Sequence, residues 1–208
     1  MATCLYRLFE SANSDGKTAV LVFGRFEPPT IGHLLLIETG VKVASENHGD
    51  LYVYVSNSQD PRRNPLNVDQ KIKFLKMMIN SSVPEVLPAV GEVRTFLEAA
   101  AHLNRSGYTR LFMVTGADRV SEFESLLNKY NGKDFTFASI RVISAGARDP
   151  DAEGVVGMSA TKMRSAAADG DLKMYSRGLP SWLPSTSALN MMNAVRVGMH
   201  LTPVRPSL

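Results

Sequence analysis

"AVLVFGRFEPPTIGHLLLIE", residues 19–38, changes character halfway along. Residues 19–23 form an unbroken apolar run closed by Gly24, as in a strand buried on both faces of a parallel sheet. A helix is predicted from about 31 to 46. Between them, Pro28 and Pro29 fix an extended backbone and push Glu27 and Pro28 away from helical geometry, so the helix cannot start early. Thr30 is the expected N-cap. Gly32 then falls in the first turn, where it costs helix stability but lets a bulky ligand approach backbone N–H groups that lack intrahelical partners. Such groups favour an anion. His33 in the same turn and Arg25 on the strand side suit a phosphate. A plainer reading also stands on these residues alone: an ordinary cap, a packing glycine and a surface histidine. Neither GxGxxG nor GxxxxGK occurs, which disfavours a dinucleotide-binding dehydrogenase or a P-loop enzyme.

Working outward, strands and helices alternate. "LYVYVS" (51–56) reads as a second strand, "QDPRRNP" (59–65) as a turn-rich loop, and "NVDQKIKFLKMMIN" (67–80) as a helix with Ile72, Leu75, Met78 and Ile79 on one side. A helix over 92–105, the strand "RLFMVTG" (110–116), a helix over 119–129 and the strand "SIRVISAG" (139–146) follow. This order predicts an α/β, Rossmann-like doubly wound parallel sheet with right-handed crossovers, and a ligand crevice beyond the carboxyl ends of the strands. Residues 1–18 read as a lead-in ending in polar "SANSDGK", residues 19–170 as the domain, and 171–208 as a tail of short helical pieces interrupted by "GLPSWLPS".

The 208 residues, 44% of them hydrophobic, suffice for one sizeable core. Cys4 is the single cysteine, and there is neither a cleavable signal pattern nor an apolar run long enough to span a bilayer. A cytoplasmic protein is expected, without membrane insertion. The net charge of +3 is too small to argue for nucleic acid and is compatible with small anionic substrates.

A second segment, "GMSATKMRSAAADGD" (157–171), opens a helix with Ser159 as N-cap and Gly170 as its stop, and Met158 and Met163 form a hydrophobic staple. Lys162 and Arg164 nevertheless stand in its opening turns, where the macrodipole disfavours cations by several tenths of a kcal/mol each. An anion would compensate, and two cations beside hydroxyls and amides suit a polyphosphate. The alternative is that both long side chains simply reach solvent.

"GRFEPPTIGH" and "GMSATKMR", in this order, resemble the GxFxPxHxGH and ISxTxxR signatures of the nucleotidylyltransferase superfamily. "SNSQDPRRNPLNVDQKIKFL" and "VTGADRV" resemble its intervening NPL…eeR and GxD segments, so the resemblance spans roughly residues 19–168. Together with "GADRVSEFESLLNKYNG" and "SAGARDPDAEGVVGMSATKMR", these motifs look most like the cytidylyltransferase-like proteins of tailed bacteriophages, which implies a viral origin and the host cytoplasm. The resemblance implies transfer of NMP from an NTP, ATP or CTP, to a phosphorylated acceptor, with pyrophosphate released and Mg²⁺ carried on the phosphates. It also implies site roles: His33, Thr30, Arg164 and Lys162 as catalytic residues, Ser159 and Thr161 on the β- and γ-phosphates, Gly24, Arg25, Phe26 and Gly32 along the phosphate path, and Gly116 and Asp118 beside the nucleoside. The NMN adenylyltransferase-like and cytidylyltransferase-like versions stay open, as do a homo-oligomer and a virion-associated or binding protein that keeps the fold with little turnover. A fragment of a class I aminoacyl-tRNA synthetase is a more distant alternative.

The sequence departs from the superfamily in places. Thr30 replaces the first histidine of the signature, keeping a hydrogen-bond donor but not a titratable ring, and Lys71 and Lys73 stand where an arginine is usual. Arg62 and Arg63 would grip the acceptor phosphate or stay solvated in their loop, and Asp118 would cap the helix at 119, touch the nucleoside, or both. "ARDPDAEG" (147–154) reads as an acidic loop rather than a metal cage, and His48, His102 and His200 read as surface residues, so no protein ligand for a metal is expected. Trp182 reads as lying outside the core.

Overall fold

β1 (Thr18–Gly24) sends alternate side chains to opposite sides of the sheet. Val20 and Val22 enter one core while Ala19 and Leu21 enter the other, all four fully buried. Burial on both faces is why the run contains no polar residue between Thr18 and Gly24. The structure, a computed structural model, describes residues 16–79, 85–146 and 158–205. Most of the lead-in and the acidic loop over 147–154 lie outside the described residues.

The chain continues through α1 (Ile31–Glu46), β2 (Asp50–Ser56), α2 (Val68–Met78), β3 (Glu85–Ala89), α3 (Phe96–Arg105), β4 (Arg110–Thr115), a 3₁₀ turn (Ala117–Arg119), α4 (Val120–Tyr130), β5 (Ser139–Ser144), α5 (Ala160–Asp169), α6 (Leu172–Ser176) and α7 (Ser185–Gly198). The five strands form one parallel sheet in the order β3-β2-β1-β4-β5. This is the Rossmann-like α/β fold predicted from the alternation. The order reverses between β1 and β4, so the crevice opens where these two strands end, at Gly24 and just before Gly116.

Two layers of helices cover the sheet. On one face α1, α2, α5, α6 and α7 bury Leu34, Ile37, Phe74, Met163, Tyr175 and Met191. On the other, α3 and α4 bury Ala99, Leu103, Phe123 and Leu127. The segment after Gly170 thus contributes to the same core as the sheet, and its last helix runs for 14 residues rather than as a short piece. A Cβ on Gly198, at the end of α7, would lie 1.9 Å from the Pro65 carbonyl oxygen, so this helix abuts the loop that follows β2.

Three elements differ from their sequence expectation. β3 is an edge strand carrying Pro88, and a proline at a strand centre obscured it; the edge position tolerates the missing donor. α3 begins at Phe96 instead of 92 because Thr95 caps it, its hydroxyl accepting from the Glu98 amide while Glu98 accepts from the Thr95 amide. The inner face of α2 is set by Lys71, Phe74, Leu75 and Met78, a stripe that includes a lysine and leaves Ile72 half-buried.

The Tyr175 hydroxyl is fully buried and meets no hydrogen-bond partner among the described residues. An unpaired buried hydroxyl costs about 1–3 kcal/mol. Tyr175→Phe is therefore expected to leave the melting temperature unchanged or raise it in a thermal melt; a drop of several degrees would mean that the hydroxyl is paired in solution.

Candidate active site

The turn from β1 to α1 is shaped by Phe26. Its backbone takes φ +51, a left-handed conformation that costs a residue with a side chain about 1–2 kcal/mol, and its ring is 1% exposed. That ring lies so close over Gly24 that a Cβ there would fall 2.9 Å from two ring carbons, and it meets the His33 ring edge-on at 5.0 Å between centroids. The resemblance implied Phe26 along the phosphate path; its ring is buried and supports His33 from beneath.

Thr30 caps α1 as expected, and the cap is reciprocal. The His33 amide donates to Thr30 Oγ1, and the Thr30 amide donates to His33 Nδ1 at 3.0 Å. Because Nδ1 accepts that N–H, the neutral ring carries its proton on Nε2, which becomes a donor. The expectation of several open amides is narrowed: the Ile31 amide donates to the Gly178 carbonyl at 2.8 Å and the His33 amide is used by the cap. The exposed Gly32 amide is left without a protein acceptor among the described residues. A Cβ on Gly32 would meet only Thr30 Oγ1, at an ordinary 3.6 Å, so protein packing does not require glycine there.

α5 starts at Ala160, with Ser159 Oγ accepting from the Lys162 amide and Gly170 closing the helix at φ +73. Met158 and Met163 are both buried in the core beneath it, anchoring the helix start. Ser159, Thr161 and Lys162 are exposed. Arg164 turns inward instead: Nη1 donates to the Glu27 carbonyl at 2.7 Å and Nη2 to Thr161 Oγ1 at 3.1 Å. The two signature segments thus meet.

Burial lowers the Arg164 guanidinium from its ordinary value; Glu27 and Asp60 oppose the shift, whereas Arg25 and Arg63 add to it by repulsion. Three guanidiniums from separate segments therefore share one neighbourhood. The side chains of Arg62 and Arg63 are exposed at the loop, whose turn is held by their amides donating to Asp60 Oδ1 at 3.0 and 2.7 Å. Those amide bonds, Arg63's first, hold the Asp60 carboxyl below its usual range.

Sequence reasoning missed the buried pair behind these arginines. Glu27 is 3% exposed; its carboxylate accepts from the Leu66 amide at 2.8 Å and faces Lys71 Nζ at 3.7 Å. Lys71, fully buried, donates to the Ser56 and Ser58 carbonyls at 3.0 and 2.6 Å, so it does not replace the missing arginine as an acceptor contact. Burial pushes the Glu27 carboxyl up to about 8, against the pull of Lys71, the Leu66 amide and Arg164. The same burial pushes the Lys71 ammonium down, against the charge of Glu27. An acid beside two prolines carries no signature of burial, and only its partner's place on the inner stripe of α2 hints at it.

Gly116 is buried at the end of β4, and Asp118 is exposed in the 3₁₀ turn. Asp118 does not cap α4, which starts at Val120 without a side-chain cap. His48, His102 and His200 are exposed, and among the described residues no three His, Cys, Asp or Glu side chains cluster as for a metal. Trp182 is exposed outside the core, and among the described residues no helix is long and apolar enough to cross a membrane.

A five-stranded parallel sheet whose order reverses between β1 and β4, with helix starts at that switch point, defines a Rossmann-like α/β protein of the nucleotide-binding kind. The sequence matches the cytidylyltransferase-like family over residues 21–165, more than half of the chain, and the chain belongs to that family. Among solved structures, one from Plasmodium falciparum, a nicotinic acid mononucleotide adenylyltransferase complexed with NaAD, is similar at TM-score 0.54 and 13% identity, covering 86% of this chain and 97% of that one. A Vibrio parahaemolyticus protein assigned as a nicotinate-nucleotide adenylyltransferase is similar at TM-score 0.50 and 16% identity, over 85% of this chain and 99% of that one. Thermotoga maritima TmcAL bound with alpha-thio ATP is similar at TM-score 0.51 and 12% identity, over 90% of this chain and 57% of that one. These likenesses establish the fold. No curated protein is similar enough in sequence to count as a relative.

The geometry makes two predictions. Gly32→Ala keeps the amide but sets a methyl group in the open space where a ligand would approach it, so it should stabilise the fold by up to about 1 kcal/mol yet weaken tripolyphosphate binding about tenfold by hindering one hydrogen bond to a charged group, as read by thermal melt and calorimetry. Unchanged affinity would remove the Gly32 amide from the site. For Glu27, a folded-state pKa raised above its ordinary 4.5 means that the stability owed to the protonated carboxyl is complete below 4.5 and lost as pH rises through about 8. The wild type should accordingly lose melting temperature relative to Glu27→Gln between about pH 5 and pH 8; parallel curves would show a carboxyl that titrates normally.

Proposed function

We infer that this protein transfers a nucleotidyl group from an NTP to a phosphorylated acceptor. An acceptor phosphate oxygen forms a bond to the α-phosphorus, the bond from that phosphorus to the bridging oxygen breaks, and pyrophosphate leaves with the electron pair. Such a displacement needs positioning and charge stabilisation more than proton transfer. The observation that carries this reading is the hydrogen bond that joins the two signature segments, from Arg164 Nη1 to the Glu27 carbonyl at 2.7 Å, beside two helix N-termini and with Arg25 and Arg63 repelling the same guanidinium. A polyanion relieves that repulsion.

In this reading Arg164, Lys162, Ser159 and Thr161 hold the β- and γ-phosphates, and the Gly32 amide and the His33 Nε2–H stabilise charge at the transferred phosphate. Thr30 acts through His33. Gly24 and Arg25 border the phosphate path, Gly116 and Asp118 stand on the nucleoside side, and Arg63, with Arg62, receives the acceptor phosphate. Mg²⁺ would arrive on the triphosphate. Among the described residues no three His, Cys, Asp or Glu side chains gather to hold it. The nicotinate-type solved structures favour ATP with a mononucleotide acceptor, and the family description keeps CTP in play. The resemblance to phage proteins adds a viral setting to this proposal.

The test is a panel of ATP and CTP against nicotinate mononucleotide, NMN, pantetheine phosphate and glycerol phosphate, read as pyrophosphate release. One pair should turn over, and His33→Ala should lower its rate on the order of a hundredfold or more, the contribution of one donor aimed at developing charge. Turnover of no pair would leave a nucleotide-binding role without catalysis; equal rates in the variant would remove His33 from the mechanism.

A further inference from the structure

Glu27 is the meeting point of the three segments that carry the arginines. Its main-chain carbonyl orients Arg164 of α5 at 2.7 Å. Its carboxylate takes the Leu66 amide at 2.8 Å and stands against Lys71, whose ammonium ties down the carbonyls of Ser56 and Ser58. Those contacts fix both ends of the loop that carries Arg62 and Arg63, and α7 closes on the same loop at Pro65 through Gly198. Tyr175 of α6 is buried within the field of the same carboxylate. Arg25 precedes Glu27 by two residues. None of these contacts leaves the carboxylate a route to substrate, since it is 3% exposed.

We propose that Glu27 is a positioning residue: its buried carboxyl group clamps the loop over 57–66 to the β1–α1 turn and so holds Arg164 where it grips a polyphosphate, with Arg63 on the clamped loop beside it. This rests on the nucleotidyl-transfer reading only in naming the reaction; the clamp itself is read from anion binding. A buried acid–lysine pair is weak support for stability, so its role is sought in the one arrangement of segments that its contacts join. Displacing a positioned group by about an ångström costs up to about a hundredfold in rate.

The test is a double-mutant cycle between Glu27 and Arg164. Glu27→Gln keeps the size of the side chain and an oxygen for the Leu66 amide, and Glu27→Gln combined with Lys71→Met removes both buried charges if the single variant folds poorly. Each is made in the wild-type and Arg164→Ala backgrounds, and inorganic tripolyphosphate affinity and turnover are measured below the melting temperature. The Glu27 change should weaken tripolyphosphate binding about tenfold in the wild type and less than about twofold without Arg164, because residues acting through one another are not additive. Equal losses in both backgrounds would show general loosening and overturn the proposal, as would full affinity in the neutral pair. Wild-type protein that binds tripolyphosphate but turns over no substrate would overturn nucleotidyl transfer while the cycle still decides the clamp. Absence of tripolyphosphate binding would overturn both.

Discussion

Arg164 reaches back 137 residues to donate to the main-chain carbonyl of Glu27, and the arrangement of the site depends on that carbonyl staying in place. Sheet order alone brings the carboxyl ends of β1 and β4 to one crevice, but it does not fix a guanidinium to a fraction of an ångström. The fixing is done by two hydrogen bonds from Arg164, to Glu27 and Thr161, and, on the far side of the Glu27 backbone, by the Leu66 amide donating to the carboxyl group and by its ion pair with Lys71. A guanidinium in a cationic neighbourhood needs such restraint, because repulsion from Arg25 and Arg63 favours its moving toward solvent.

The carboxylate beneath is held at a cost. Burial opposes the ionised forms of both Glu27 and Lys71, and a hydrophobic pair would fill the same space with less desolvation penalty. Apolar side chains, however, could not take the Leu66 amide or the Ser56 and Ser58 carbonyls, and the amide of fully buried Leu66 would then lie without a partner. The pair suits this place because the loop between β2 and α2 brings main-chain polar groups against it that an apolar pair would leave unbonded.

The parts legible in the sequence are those where local chemistry and tertiary demand coincide. The apolar run of β1, the prolines before Thr30, the cap at Ser159 and the stop at Gly170 each state a backbone conformation through one or two residues, and the structure keeps all of them. Where the decision is tertiary, the sequence is silent or misleading. β3 is a strand because an edge position forgives Pro88, α3 starts late because Thr95 outcompetes the apolar pattern before it, and Phe26 looks like a lining residue until its left-handed backbone turns the ring under His33. Glu27 and Lys71 lie 44 residues apart as ordinary charged residues, and nothing local marks either as buried.

The start of α1 joins folding to chemistry. A capping box ordinarily pairs Ser or Thr with Glu or Gln at the third helical position, where a carboxylate or amide oxygen takes the cap amide. Here His33 fills that position and offers Nδ1 to the Thr30 amide. For the helix, this is an ordinary cap contributing about 1 kcal/mol. For the ring, it selects the tautomer with its proton on Nε2 and fixes the plane, which Phe26 then supports edge-on. A glutamate would cap equally well but would bring a negative charge to the helix end that receives phosphate in the proposed reaction. A threonine in place of the first signature histidine therefore takes nothing from this turn: its hydroxyl and amide hold the remaining histidine as a neutral donor, and the same bonds that begin the helix aim it.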